Sequence, residues 1–180
     1  MTNEQTEKPD FESLDDETVW AEYATGRDEA LYELMNRHGE DLFRYVLLVT
    51  GRMRNAAQIT GDAWAVAAAW RGDYEGFDGF REWLYAVVTQ NFFPPTQPET
   101  AGLGEVIDEF AGREAGSGLG AVVYRVLALL RHHRVPLLLR VAGFSDEQIA
   151  RICNFTVEKT EGCIRKACHQ LASASEFRTA

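Results

Sequence analysis

Residues 144–171 read FSDEQIARICNFTVEKTEGCIRKACHQL, and this stretch predicts two short amphipathic helices separated by a tight turn. Ser145 suits the N-cap of the first helix, because its hydroxyl can accept a hydrogen bond from a first-turn N–H group. Two acidic residues follow it, where the helix dipole favours negative charge. Asn154 falls where the backbone needs a residue that tolerates left-handed geometry, and Thr156 suits the N-cap of the second helix. The pattern therefore indicates a helical hairpin that turns at Asn154.

The second helix of this hairpin has two chemically different faces. One face is apolar at three- and four-residue spacing and holds Val157, Thr160, Ile164, Ala167 and Leu171. The other face is basic, diluted by Glu158 and Glu161, and holds Lys159, Arg165, Lys166 and His169. A helix that packs by one face and is basic on the other suits a reader of the DNA major groove. The same pattern also fits an ordinary helical hairpin with a solvated charged face, and at this point both interpretations are open.

Length and composition limit the class of protein. The chain has 180 residues, 46% of them hydrophobic, which suffices for one globular domain or two small ones. No apolar run is long enough to span a bilayer, and the polar, acidic N-terminus fits neither a secretory signal nor a transit peptide. The cysteines are Cys153, Cys163 and Cys168, an odd number confined to the last quarter of the chain. This arrangement argues against a disulfide framework and favours a reduced, cytoplasmic setting.

The distribution of charge is more informative than the net charge of −10. Residues 1–92 hold 18 acidic and 8 basic side chains, and residues 93–119 hold 5 and 1. Residues 120–180 hold 5 acidic and 9 basic side chains, so the only net positive part contains the hairpin. Such asymmetry suggests two modules with different partners.

Helical periodicity recurs along the chain, without an alternating strand pattern or an internal repeat. Before Pro94 it predicts four helices, at 14–24, 28–50, 55–71 and 80–92. Pro94 and Pro95 end the fourth helix, and a glycine-rich, linker-like stretch follows. Beyond Gly120 the pattern predicts a further helix, then one that has Pro136 in its first turn and ends at Gly143.

The sequence therefore predicts an all-α protein of two small helical domains joined by a flexible linker, the second domain containing a helix-turn-helix. The expected boundaries are a disordered lead at 1–12, a first domain at 13–93, a linker at 94–119, a second domain at 120–173 and a tail at 174–180.

Several motifs, in this order, resemble bacterial RNA polymerase sigma factors of the extracytoplasmic-function type. The first half resembles region 2 through EALYELMNRHGEDLFRYVLLVTG (residues 29–51), then AWRG at the end of the third helix and FREWLYAVVTQN (residues 80–91). The second half resembles region 4 through LLLRVAGFSDEQIARICNFTVEKTEGCIRKACHQL (residues 137–171). Two matches in the family's order and at its separation favour the DNA-reading interpretation of the hairpin.

The resemblance implies partners and site residues. It implies docking on the β′ clamp helices of core RNA polymerase through Asp62 and Trp64, and control by an anti-sigma factor. It implies that bases of the promoter's melting element are held by residues of the fourth helix and the loop before it, namely Tyr74, Phe77, Arg81, Trp83, Tyr85 and Asn91. The tryptophans also fit a core role, Trp83 above all, because it lies in the apolar spacing of the fourth helix. It implies that the distal promoter element is contacted from the hairpin by Arg151, Lys159, Glu161, Arg165, Lys166 and His169.

The chain departs from the family pattern in region 2. Where family members have an acidic-polar signature at the start of the third helix, this chain reads AAQITGD at residues 56–62. Where the family continues the fourth helix with arginines, this chain has no basic residue between Asn91 and Arg113. Each lost phosphate contact reduces the electrostatic term that dominates DNA affinity. Region 2 is thus predicted to be the divergent part.

Two functions of different class follow. One is a divergent alternative sigma factor that directs core polymerase to particular promoters. The other is a sigma-like regulator that binds an anti-sigma factor or polymerase as a protein mimic without initiating transcription. The sequence does not favour an enzyme, a cofactor or a metal site: Cys163, Cys168 and His169 match no zinc pattern, since the two cysteines point to different sides of one helix.

Overall fold

The computed structural model describes residues 10–94 and 118–176, and within these ranges the chain is all-helical. A short 3₁₀ turn at Phe11–Ser13 precedes the first of eight α-helices in the described part. The helices are α1 Asp16–Ala24, α2 Asp28–Thr50, α3 Met53–Ala69, α4 Phe80–Phe92, α5 Gly118–Ala128, α6 Arg131–Val141, α7 Asp146–Cys153 and α8 Val157–Glu176. The predicted all-α class is therefore confirmed. No helix in the described ranges is long and apolar enough to cross a bilayer.

Helices α1–α4 form the first half of the molecule, residues 10–94, around an aromatic core. Trp20 of α1 lies 5.0 Å from Phe80 and 5.5 Å from Trp83, measured between ring centroids. Arg37 of α2 ties the N-terminal segment to this core, donating from Nη1 to the Leu14 carbonyl at 2.8 Å. Burying several rings together accounts for much of the stabilisation available to so small a unit.

Helices α5–α8 form the second half, residues 118–176, and the buried sides of α6, α7 and α8 face one another. Val135 and Leu139 of α6 and Ile149 and Ile152 of α7 are fully buried. Together with the aromatic residues of the first half they belong to one continuous cluster of buried residues. In this conformation the two halves therefore share a hydrophobic core.

Three helix pairs join the halves: α6 packs on α2, α7 packs on α4, and α5 also packs on α2. Arg134, only 3% exposed, lies at the first contact. Its Nη2 donates to the carbonyl of Val49 in the last turn of α2 at 3.0 Å, and its Nη1 donates to the carbonyls of Leu127 and Leu129. A cation at a helix C-terminus also complements the negative end of the helix dipole.

The helix boundaries differ from the predicted ones by two residues at the start of α1 and at both ends of α3, and by more at the start of α6. Pro136 was expected in the first turn of its helix, but α6 begins five residues earlier, at Arg131. The carbonyl of Leu130 accepts the N–H groups of His133 and Arg134, so the first turn is complete before the proline. Pro136 then lies inside the helix, where it removes one main-chain hydrogen bond. The predicted linker falls almost entirely outside the described residues, as do most of the lead and the end of the tail.

Candidate nucleic-acid interface

Helices α7 and α8 are joined by a three-residue turn, and local hydrogen bonds fix its geometry. The Ser145 hydroxyl accepts from the N–H of Gln148 while the Gln148 side chain accepts from the N–H of Ser145, which is a capping box. Asn154 is left-handed, with φ 53° and ψ 50°, as its position in the sequence predicted. The Thr156 hydroxyl accepts from the N–H of Lys159 at 3.2 Å and caps α8. Asn154 and Thr156 thus fix the two ends of the turn, and the capping box fixes the start of α7.

The basic face of α8 points into solvent. Of the six side chains predicted to contact the distal promoter element, five are exposed: Lys159, Glu161, Arg165, Lys166 and His169. The Lys159 ammonium lies 3.6 Å from the centroid of the Phe155 ring, a cation–π contact that restricts the side chain to this face. The opposite face, on which Thr160 and Ala167 are fully buried, packs on α6 and α7. The face assignment made from periodicity is therefore confirmed.

The sixth residue, Arg151 on α7, is bound to the first half instead. Its Nε donates to Oε1 of Glu82 at 2.7 Å and its Nη2 donates to Oε2 of Glu82 at 3.1 Å. The same Nη2 also donates to the Asp78 carboxylate. The hydrogen bonds to Glu82, before any other cause, raise the pKa of Arg151 above its ordinary value, so this side chain is a permanent cation.

Glu82 is buried, and its position follows from the start of α4. As the third residue of the helix it reaches back, and its Oε2 accepts from the N–H of Asp78 at 3.0 Å. Oε2 also accepts from Nε2 of Gln148 at 3.3 Å. We call Asp78, Glu82, Gln148 and Arg151 the junction cluster. Sequence reasoning missed it because a polar residue within the apolar spacing of α4 gave no signal for a partner 69 residues away.

The residues predicted to melt promoter DNA lie in different environments. Trp83 and Tyr85 are 8% and 1% exposed, so in this conformation their rings belong to the core and cannot stack on bases. Tyr74 and Phe77 are half-buried, and Asn91 is exposed. The burial of Trp83 has a physical cause, because this residue lies in the apolar spacing of α4 that builds the packed face of the helix.

Arg81 from the same set contacts the second half. Its Nη2 donates to the carbonyl of Ala142 at 2.6 Å, and its guanidinium carbon lies 4.4 Å from the centroid of the Phe144 ring. Tyr85 meets the same ring edge to face, with 4.9 Å between centroids. Arg81 and Arg151 are thus both engaged between the halves.

An open cavity of about 650 Å³ lies beside the loop before α4. Three aromatic residues line it, Trp20, Tyr74 and Phe77, together with three acidic residues, Glu17, Asp73 and Glu75. The small residues Ala21, Ala24 and Gly72 complete the lining. Burial, and next the charge of Glu17, raise the pKa of Tyr74. The aromatic rings of the cavity could accept a flat group, whereas the carboxylates of the cavity repel phosphate.

The two residues expected to dock on polymerase also differ in exposure. Asp62 is exposed on α3, but Trp64 is 6% exposed and packs 6.2 Å from Phe80 between ring centroids. Trp64 thus supports α3 from the core side, and its ring is not available to a partner in this conformation. Ala57, Gly61 and Ala65 are exposed near Asp62, as are the larger side chains of Gln58 and Val66 one turn away.

The cysteines are free thiols in separate environments. Cys153 and Cys163 are buried, which raises the pKa of each thiol, while Cys168 is exposed on the other side of α8. Within residues 10–94 and 118–176, no group of three or more His, Cys, Asp or Glu side chains is placed to hold a metal ion.

No protein-family model and no curated protein sequence matches the chain. Solved structures do match. CnrH, solved in complex with the cytosolic domain of CnrY, superposes with a TM-score of 0.65 at 22% identity, over 90% of this chain and 97% of that one. The sigma factor RpoE from Bartonella quintana, solved in complex with the anti-sigma factor NepR, gives a TM-score of 0.63 at 15% identity, over 81% of this chain and 96% of that one.

The likeness extends over nearly the full length of both known proteins, and at these identities it concerns the fold. The chain shares the all-helical fold of these two proteins, one of which is a sigma factor.

Proposed function

We propose that this chain is an alternative sigma factor of the extracytoplasmic-function type, which binds core RNA polymerase, directs it to particular promoters and is restrained by an anti-sigma factor. The observation that carries the proposal is the exposed basic face of α8 on a capped helix–turn–helix unit, within a fold shared with a sigma factor. The class of function is transcription regulation in the cytoplasm.

Promoter recognition would use the exposed side chains of α8. Lys159, Arg165 and Lys166 can pair with phosphates or with guanine O6 and N7 in the major groove, and Glu161 can accept from a cytosine amino group. His169 lies further along the same exposed face, where it can reach the DNA backbone. These roles require α8 to enter the groove with this face leading.

Polymerase binding would use the outer face of α3. The exposed carboxylate of Asp62 can pair with a basic residue of the β′ clamp helices, and the exposed Val66 one turn away offers an apolar contact beside it. The two solved structures named above each contain a partner protein, and one of these partners is an anti-sigma factor, which supports a partner of that kind here.

The test is reconstitution with core RNA polymerase from the same cell, freed of other sigma factors. We expect the chain to co-elute with the core enzyme and to support run-off transcription from the promoter of its own gene. Asp62→Arg should weaken core binding at least about tenfold, since it reverses the charge of a contact residue. The matched control is Asp41→Arg, an equally exposed charge reversal on α2. Equal effects of the two variants would contradict the assignment of the α3 face.

A second candidate function is supported by the burial of Trp83 and Tyr85 and by the acidic loop beside them. A protein mimic would bind an anti-sigma factor and leave promoters unoccupied, and it has no need of exposed stacking rings. The same reconstitution separates the two functions. A tight complex with an anti-sigma protein, without core binding and without transcripts, would identify the mimic.

A further inference from the structure

The junction cluster places two carboxylates, Asp78 and Glu82, on Arg151, a residue predicted to contact DNA. Arg151 presents two donors, Nε and Nη2, to the two oxygens of Glu82, and Nη2 also reaches Asp78. A guanidinium binds a phosphate with the same fork of N–H donors that it offers a carboxylate. One Arg151 side chain cannot serve Glu82 and a phosphate in this way at the same time.

Hydrogen bonds from α4 also restrain the main chain of α7. Nε2 of Gln90 donates to the carbonyls of Arg151 and Ile152, at 3.1 and 3.2 Å. These carbonyls lie in the last turn of α7, immediately before the turn that leads into α8. The first half therefore fixes both the side chain of Arg151 and the helix that carries it.

We infer that Asp78 and Glu82 form an intramolecular latch that substitutes for DNA phosphate on Arg151 and holds the two halves closed until DNA or a partner protein displaces it. The part of this inference that concerns DNA rests on the proposed function. Glu82 is 2% exposed, but the ion pair between Arg151 and Asp78 is open to solvent, with side chains that are 34% and 65% exposed. Salt can therefore screen it.

Closure and DNA binding are then linked equilibria. A change that weakens the latch raises the fraction of open molecules and so tightens DNA binding. By linkage, DNA bound at Arg151 favours the open form by the same factor as opening favours DNA binding. The Arg81 contact with Ala142 opens in the same step, which frees a second residue predicted to contact DNA.

The test compares the full-length chain with two charge-neutralised latch variants, Asp78→Asn and Glu82→Gln. The matched controls are Asp73→Asn and Glu75→Gln, which remove the same charge from exposed positions of the same loop. Small-angle X-ray scattering measures opening without DNA, and fluorescence anisotropy measures binding to a labelled duplex at low salt. Circular dichroism confirms folding, and Asp78→Asn remains informative if Glu82→Gln does not fold, because Asp78 is exposed.

We expect both latch variants to have a larger radius of gyration than the wild type and to bind the duplex about five- to tenfold more tightly, within the usual range of such coupling. The controls should change affinity by no more than about twofold, by loss of one repulsive charge. Equal effects of latch and control variants would overturn the inference, and so would a wild-type chain that is already as extended as the variants. Opening of the latch variants without DNA binding by any chain would support the latch and contradict the proposed function.

Discussion

The two halves of the molecule share one expected role, contact with promoter DNA, but they place the side chains expected to perform it in opposite environments. In the second half, α8 presents Lys159, Arg165 and Lys166 to solvent. In the first half, α4 buries Trp83 and Tyr85 in the core. A contact residue on α8 is therefore available without rearrangement, whereas α4 must be uncovered or repacked first. The predictions below test this difference, from the largest expected effect to the smallest.

Trp83→Ala should lower the free energy of unfolding by about 3–5 kcal/mol, because it removes a ring packed against Trp20 and Phe80 and leaves a cavity. Urea unfolding followed by circular dichroism measures the change. Trp70→Ala is the control: that ring is 49% exposed, so the change should stay below about 1 kcal/mol. A mild effect at Trp83 would mean that its ring is free for another role.

Arg134→Met should lower the free energy of unfolding by about 2–4 kcal/mol, since the carbonyls of Val49, Leu127 and Leu129 lose a buried charged donor. Arg140→Met is the control, because the Arg140 side chain is 45% exposed and its pairing with Asp146 is a surface ion pair worth under about 1 kcal/mol. If the two variants were equally stable, the contact between α6 and α2 would not hold the halves together.

Lys166→Glu should weaken duplex binding about tenfold and lower the salt dependence by about one counterion, as expected for one lost phosphate contact. Fluorescence anisotropy at several salt concentrations measures both quantities. The matched control is Arg44→Glu, which makes the same charge change on α2 in the first half, at a side chain that is 63% exposed. Comparable losses from the two variants would show that net charge, rather than the α8 face, governs binding.

His133 should make stability depend weakly on pH. Burial, and next the neighbouring His132, lower the pKa of His133, so the unfolded chain takes up its proton at a higher pH than the folded one. Stability is then fully retained above the unfolded pKa of about 6.5 and falls as the pH drops below it. Thermal unfolding at pH 7.5 and 5.5 measures the loss.

His133→Leu should reduce this pH dependence, while His169→Leu, at an exposed position, should leave it unchanged. An unaltered pH dependence in His133→Leu would assign the effect to other groups.

The sequence predicted the elements whose ends carry local signals. Helices α2 and α4 begin and end at the predicted residues, since Gly51 and the Pro94–Pro95 pair stop them. The capping box at Ser145 and the left-handed Asn154 were predictable for the same reason, because each is decided within a few residues. The basic face of α8 follows from periodicity alone.

The missed features depend on contacts between distant residues. The pairing of Glu82 with Arg151 spans 69 residues and joins two helices with no common periodicity, so one sequence contains no signal for it. The burial of Trp64 and Trp83 was ambiguous because a large ring at a helical spacing fits both a core and a binding face. The early start of α6 was missed because Pro136 normally marks a first turn.

The Arg134 contact with α2 also bears on synthesis of the protein. Val49 and Arg134 are 85 residues apart, and at 5–20 residues per second a ribosome needs about 4–17 s to make the chain between them. During that time Arg134 is not yet present to donate to the carbonyl of Val49, and the apolar side of α6 does not yet cover the end of α2. A chaperone that recognises exposed Val46 and Val49 would meet the growing chain in this interval.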